Sequence, residues 1–275
     1  MSAKNKATLF LVATPIGNLN EVSPRTIAVL KDADVLACED TRNTLKLLSH
    51  FDIHTRMISY HNFNEESSAK GIINLLEEGK NVALVSDAGY PLISDPGYEL
   101  VSRVIEEGYA VVTVSGPSAG INALVASGLK TSHYLFYGFL SSRRSQARKE
   151  LEELKDFPYT IIFYEAPHRI IKTLELCHEV LGDRKAVIAR ELTKIHEEYI
   201  RGTLSELMKL EEVKGEIVLL IEGKEKEEKE PDYGSLKKEV DVLTKKGLKT
   251  REAVNEVARK YGISKNRLYD HYLKG

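Results

Sequence analysis

Eight short apolar runs limit what this chain can fold into more than any other feature. They read TLFLVAT (8–14), ADVLACE (33–39), NVALVSD (81–87), AVVTVSG (110–116), YLFYGF (134–139), TIIFYEA (160–166), KAVIARE (185–191) and EIVLLIE (216–222). Several are unbroken rather than alternating, as strands covered on both faces require. Helical segments separate them. Ser23 caps a helix opened by Pro24, and residues 67–78 put Ile72, Ile73, Leu75 and Leu76 on one face before Gly79 stops them. Residues 96–107 and 167–181 repeat that plan, each opened by proline and followed by glycine. The alternation predicts an α/β body with largely parallel sheets.

Ligands of such sheets sit beyond the carboxyl ends of the strands. The segments there read TPIGN (14–18), EDTR (39–42), SDAGYPLISDPG (86–97), SGPSAG (115–120), YEAPHR (164–169) and RELTK (190–194). They form the candidate site. GPSAG is not followed by Lys-Ser/Thr and no G-x-G-x-x-G follows the first run, so neither common nucleotide loop is present. His50 and His54 are helix-spaced but have no third ligand nearby in sequence, so no metal site is expected. In the 86–97 loop, Asp87 ends a strand, Gly89 admits a close ligand, and Pro91 and Pro96 stiffen the chain. A plain structural turn fits those residues as well. EDTR and YEAPHR read equally as capping and salt-bridge clusters at helix starts.

Net charge is −2 over 275 residues, which conceals a segregation. Residues 1–231 carry 28 basic and 35 acidic side chains, whereas residues 232–275 carry 11 and 6. KEKEEKEPD (224–232) reads as a solvated linker between an acidic body and a basic tail. In the tail, Val254, Val257, Ala258 and Tyr261 make one helical face, Gly262 stops it, and Ser264 caps a second helix carrying Leu268 and Tyr272. With a helix over 235–246 this is a helix-turn-helix pattern, with Arg259, Lys260, Lys265 and Arg267 where phosphate contacts fall. A helical docking module is the other reading. Two distant cysteines, Cys38 and Cys177, and no apolar run of about 20 residues point to a cytoplasmic protein without disulfide scaffold or membrane span.

Lined up, seven blocks carry a resemblance over about residues 7–223: LVATPIGNL (11–19), EDTR, LVSDAGYPLISDPG (84–97), GPSA (116–119), FYEAPHR (163–169), ARELTK (189–194) and GEIVLLIEG (215–223). Their order resembles the small-subunit ribosomal RNA branch of the tetrapyrrole-methylase family of adenosylmethionine-dependent enzymes. The resemblance implies two α/β domains with S-adenosyl-L-methionine in the cleft between them, and a small C-terminal all-α helix-turn-helix domain. The boundaries would be 1–116, 117–223, a linker over 224–231, and 232–275. It also implies a homodimer that methylates the ribose 2′-oxygen of a cytidine in the decoding region of 16S rRNA, within the small ribosomal subunit.

By position, Pro15 would lie near the cofactor, and Asp87, Ala88, Gly89 and Ile93 would line its amino-acid and ribose parts. Ser115, Asn122, Ala123 and Leu124 would form the opposite wall. Tyr164, Arg190 and the backbone around Val218 and Leu219 would close on the adenine. The chain departs from the family pattern at Tyr90, where Thr is usual, and at Ser115, Gly120, Asn122 and Ser141. A ribose hydroxyl needs help to lose its proton. Asp40, Arg42 and Glu165 are the candidates, Arg42 orienting phosphate or ribose and Asp40 or Glu165 taking the proton. Two alternatives stand beside this reading: methylation of a tetrapyrrole, and a DNA-binding regulator that senses a nucleotide-like ligand.

Overall fold

The computed structural model describes residues 7–60, 65–225 and 232–274. Contacts divide the chain after Lys224 into two compact units. All eight apolar runs form strands in the first unit. β1 (Thr8–Val12), β2 (Val35–Cys38), β4 (Val82–Val85) and β5 (Ala110–Val114) join a short β3 (Met57–Ser59) in an all-parallel sheet ordered β3-β2-β4-β1-β5. Helices α1 (Pro24–Asp32), α2 (Thr41–His50), α3 (Glu65–Glu77) and α4 (Tyr98–Glu106) connect them. Every residue of β2 and β4 is buried, which is why those runs do not alternate. One core holds Leu9, Ile72, Leu84, Leu100 and Val104; another holds Val12, Leu30, Leu36, Leu48 and Val85.

The second sheet departs from expectation. It is ordered β6-β7-β10-β8-β9, from β6 (Tyr134–Phe139), β7 (Thr160–Glu165), β8 (Lys185–Arg190), β9 (Glu198–Thr203) and β10 (Ile217–Ile221). Only β6 and β7 run parallel; β10 is antiparallel to both β7 and β8, and β8 to β9. Thus the sheet is mixed rather than largely parallel. At the edge where β7 and β8 end, β10 therefore begins, with Ile217 beside Glu165 and Arg190. Helices α5 (Ala119–Ser127), α6 (Arg144–Glu153), α7 (Ile170–Leu181) and the short α8 (Leu204–Leu207) complete this half. Phe163, Leu174, Cys177, Ile188 and Leu219 are fully buried on one face, and Ala123, Leu124, Val187 and Leu220 pack on the other.

The second unit is three helices, α9 (Tyr233–Lys245), α10 (Thr250–Tyr261) and α11 (Lys265–Lys274). They close on Leu236, Val240, Val254, Val257, Ala258 and Leu268. Gly262 ends α10 in the left-handed region, at φ 65°, where glycine carries no Cβ penalty. Tyr261, expected on the apolar face, is 50% exposed instead. Most of the expected linker, from residue 226, lies outside the described residues. Among the described residues, no helix is long and apolar enough to cross a membrane, and no cluster of His, Cys, Asp or Glu is placed to hold a metal.

Candidate active site

Parallel strands bring the ends of β1, β2, β4 and β5 to one edge. The loops after β1 and β4 are stitched together there: Thr14 and Gly89 exchange backbone hydrogen bonds at 2.9 and 3.1 Å, and the Thr14 hydroxyl donates to the Ser86 carbonyl at 3.0 Å. Gly89 sits at φ 77°, which a side chain would strain. Gly116 N–H donates to the Tyr90 hydroxyl at 3.1 Å, tying the 86–97 loop to the 115–120 loop. Tyr90 is thus a bracket between two walls. Tyr90→Phe leaves that N–H without its acceptor and should lower stability by about 1 kcal/mol, read by urea unfolding.

Facing these loops is the end of the second sheet, and a cavity of about 440 Å³ lies between. Its lining includes Ile16, Ala88, Gly89, Tyr90, Ile93, Ser94 and Asp95 from the first half. Ser118, Phe139, Tyr164, Glu165, Leu192, Glu216, Ile217 and Val218 come from the other side. The size and mostly apolar lining suit a small-molecule site. Of the residues expected at the cofactor, Ala88, Gly89, Ile93, Tyr164 and Val218 meet here. Pro15 and Asp87 line an adjoining pocket of about 230 Å³, with the Asn43 amide donating to Asp87 at 3.0 Å. Asn122 lines a neighbouring groove of about 450 Å³ that shares Tyr90, Ile93 and Ser118 with the cavity.

The other five expected residues do not line the cavity with their side chains. Ala123 and Leu124 are core, Leu219 packs on the far face of its sheet, and Ser115 is exposed at the end of β5. Arg190 bonds Glu198 and the carbonyls of Lys214 and His196, bracing the start of β10. A rule that looks only after strands overlooks Gly215, Glu216 and Ile217, because β10 enters the site with its amino end.

The three acid–base candidates differ sharply in freedom. Asp40 caps α2 through Arg42 N–H at 2.8 Å, and its carboxylate is clasped by the Arg42 guanidinium at 3.1 and 2.9 Å. Those bonds hold its carboxyl at about 2, so it is a feeble proton acceptor. Glu165 is buried and its oxygens are occupied. Thr173 Oγ1 donates at 2.6 Å, Ala166 N–H at 2.8 Å, and Arg169 Nε lies 3.3 Å away. Glu216 is ion-paired with Lys194 at 3.0 Å. Asp95 is the contrast. Burial, then the negative charge of Glu39, push its carboxyl up to about 6 against an opposing hydrogen bond from Ser86, with Asp87 adding a smaller push. It is the one cavity carboxylate lacking a cationic partner among the described residues. The sequence offered no sign of this, since Asp95 reads as a turn residue before Pro96. Both cysteines are buried thiols pushed up by desolvation, Cys177 to about 12, so neither is a nucleophile.

In the tail unit, Arg259, Lys265 and Arg267 are exposed, while Lys260 is ion-paired with Glu239 and lies over the Tyr261 ring at 5.0 Å.

Residues 8–208 match the family model of Tetrapyrrole (Corrin/Porphyrin) Methylases. Ribosomal RNA small subunit methyltransferase I of Halalkalibacterium halodurans is 47% identical over 98% of this chain and 95% of its own length. The protein of the same name from Bacillus subtilis is 44% identical, over 96% and 93%. Among solved structures, a cobalamin biosynthetic enzyme, cobalt precorrin-4 methyltransferase, superposes with a TM-score of 0.60 at 17% identity, over 79% of this chain and 95% of that one. That likeness concerns the fold. Similarity at this level, running well past residue 208 into the helical tail, places the chain: it belongs to the tetrapyrrole methylase family, among the ribosomal RNA small subunit methyltransferases I.

Proposed function

We propose that the protein transfers a methyl group from S-adenosyl-L-methionine to the ribose 2′-oxygen of a cytidine in the decoding region of 16S rRNA. The observation that carries this reading is the near-full-length agreement with its relatives, tail included. The cavity supports it. Ala88, Gly89, Ile93, Tyr164 and Val218 would hold the cofactor, and an apolar site with one uncompensated carboxylate and a Tyr ring suits a cationic sulfonium. When bound, the cofactor supplies an activated methyl on sulfur. The protein's share is to align the ribose oxygen and to accept its proton. Asp95 does the second in this reading, in place of Asp40 and Glu165, whose carboxylates are engaged by Arg42 and by Arg169 with Thr173.

Arg42, 87% exposed at its side chain, remains a candidate phosphate contact at the rim. The same reading makes the protein a cytoplasmic homodimer, divides its body near residue 116, and gives Arg259, Lys265 and Arg267 to RNA. A radiolabelled-methyl assay offering naked 16S rRNA, assembled small subunits and a tetrapyrrole side by side tests it. Label should enter one or both RNA samples and not the tetrapyrrole. Label in the tetrapyrrole alone would overturn the reading.

A further inference from the structure

The body is acidic as a whole, yet one corner of it is not. Between Glu107 and Glu150 the chain holds no acidic residue, and Arg143, Arg144, Arg148 and Lys149 crowd the end of that interval. The first two stand at the start of α6, where they work against the helix. Arg143 is its N-cap and makes no side-chain capping bond, the first turn has no acid, and Glu150, Glu152 and Glu153 lie toward its carboxyl end. Cations at the amino end and anions at the carboxyl end oppose the helix macrodipole. Arginine is also a poor N-cap. Stability of the fold does not account for this arrangement.

The corner is built to hold its shape. β6 is an edge strand whose pairing with β7 shifts register between Phe136 and Gly138. Such bulges re-aim the side chains that follow. Phe139, next in line, is 56% exposed at the cavity mouth and lies edge-on to Tyr164, with ring centroids 5.6 Å apart. Arg169 then donates to the carbonyls of Leu140 and Ser141, both at 3.1 Å, and Ser141 N–H donates to Glu150 at 3.0 Å. Buried Glu165 holds Arg169 from below. Glu179 aligns both Arg144, at 3.1 Å, and Arg148, at 2.5 Å, one acid for two arginines, while Arg143 is exposed. A fixed aromatic beside a cavity, backed by cations, is the means by which proteins grip single-stranded nucleic acid: bases stack and phosphates pair.

We propose that the β6–α6 corner is the body's own RNA-docking surface, where Phe139 stacks on a base of a single-stranded RNA segment and Arg143 and Arg144 hold its phosphates as the target ribose enters the cavity. This rests on the function proposed above and extends it, since that reading gives RNA only to the tail and to Arg42. Glu165 and Arg169 become positioning residues for this corner.

The test uses the full chain, steady-state methylation of small-subunit RNA over a range of salt, calorimetry with S-adenosyl-L-methionine, and thermal melting. Arg143→Asp should raise the KM for RNA about tenfold or more and flatten its salt dependence by roughly 0.7 log units per lost phosphate contact. Phe139→Ala should raise KM about tenfold with little change in salt slope. For Arg143→Asp, which lies outside the cavity lining, cofactor affinity should stay as in wild type. The Arg143→Asp melting temperature should hold or rise, because Asp is a good N-cap and suits the dipole. A merely structural arginine would behave oppositely. Unchanged KM and salt slope in both variants would overturn the proposal, and a lower melting temperature for Arg143→Asp would remove its premise. If wild type methylates no small-subunit RNA, the proposed function itself fails, an outcome visible before any variant is compared.

Discussion

Asp95→Asn is expected to lower turnover by about 100-fold or more at saturating cofactor, the usual share of a general base. Wild-type turnover should climb with pH through about 6, where the Asp95 carboxyl titrates, and then level off. The charges facing it are Glu39 and Asp87, with Tyr164, itself pushed up mainly by burial, on the opposite wall. The Asn variant should lose that rising limb. Stability supplies an independent readout. Asp95 titrates higher in the fold than its ordinary 3.8, so the folded form holds the proton more tightly than the unfolded chain. Its contribution is therefore fully present below about pH 4 and lost as pH rises through about 6. Removing the charge should raise stability at pH 8 by on the order of 1 kcal/mol, discounted for solvent around a half-buried group, and change little at pH 4. A variant that keeps wild-type turnover, or that gains no stability at pH 8, would contradict the assignment.

Glu165→Ala is expected to cost about 3 kcal/mol of stability, because it strips a buried carboxylate from Arg169 and leaves the Thr173 hydroxyl without its acceptor. The damage should spread to the loop after β6, which Arg169 pins through the carbonyls of Leu140 and Ser141. Glu165→Gln keeps an oxygen for Thr173 and should cost about 1 kcal/mol. Its turnover at saturating RNA should stay within about threefold of wild type, since a positioning residue tolerates the swap where a base would not. Urea unfolding and steady-state kinetics measured together separate the roles. A Gln variant of full stability that has lost 100-fold in turnover would return the proton to Glu165.

Much of this architecture was written in local patterns. β2, β4 and β10 are buried along their whole length, so each announces itself as an unbroken apolar run. β3 and β9 did not, because they are edge strands with half-exposed residues and a polar mixture such as EYIRGT. The mixed direction of the second sheet was also hidden. Strand polarity depends on which partner a run finds, and an apolar run looks alike in either direction. That blind spot is what hid Gly215, Glu216 and Ile217, which enter the cavity from the front of β10. At the site, the loop motifs were legible as a set, while individual roles were not. Asp40 and Glu165 carry the right chemistry but have partners close in space, Arg42 two residues on and Thr173 eight residues on. Asp95 gains its character from Glu39 and Asp87, which only folding brings near.

The central claim concerns one oxygen, and alkali examines it directly. Small-subunit RNA labelled by this protein with tritiated methyl should be hydrolysed to completion in base. Alkaline cleavage uses the ribose 2′-hydroxyl to attack the neighbouring phosphate, so a methyl on that oxygen blocks the cut. The account predicts label in an alkali-stable dinucleotide whose 5′ member is cytidine. Label recovered in mononucleotides, which would mean methyl on a base, would contradict it.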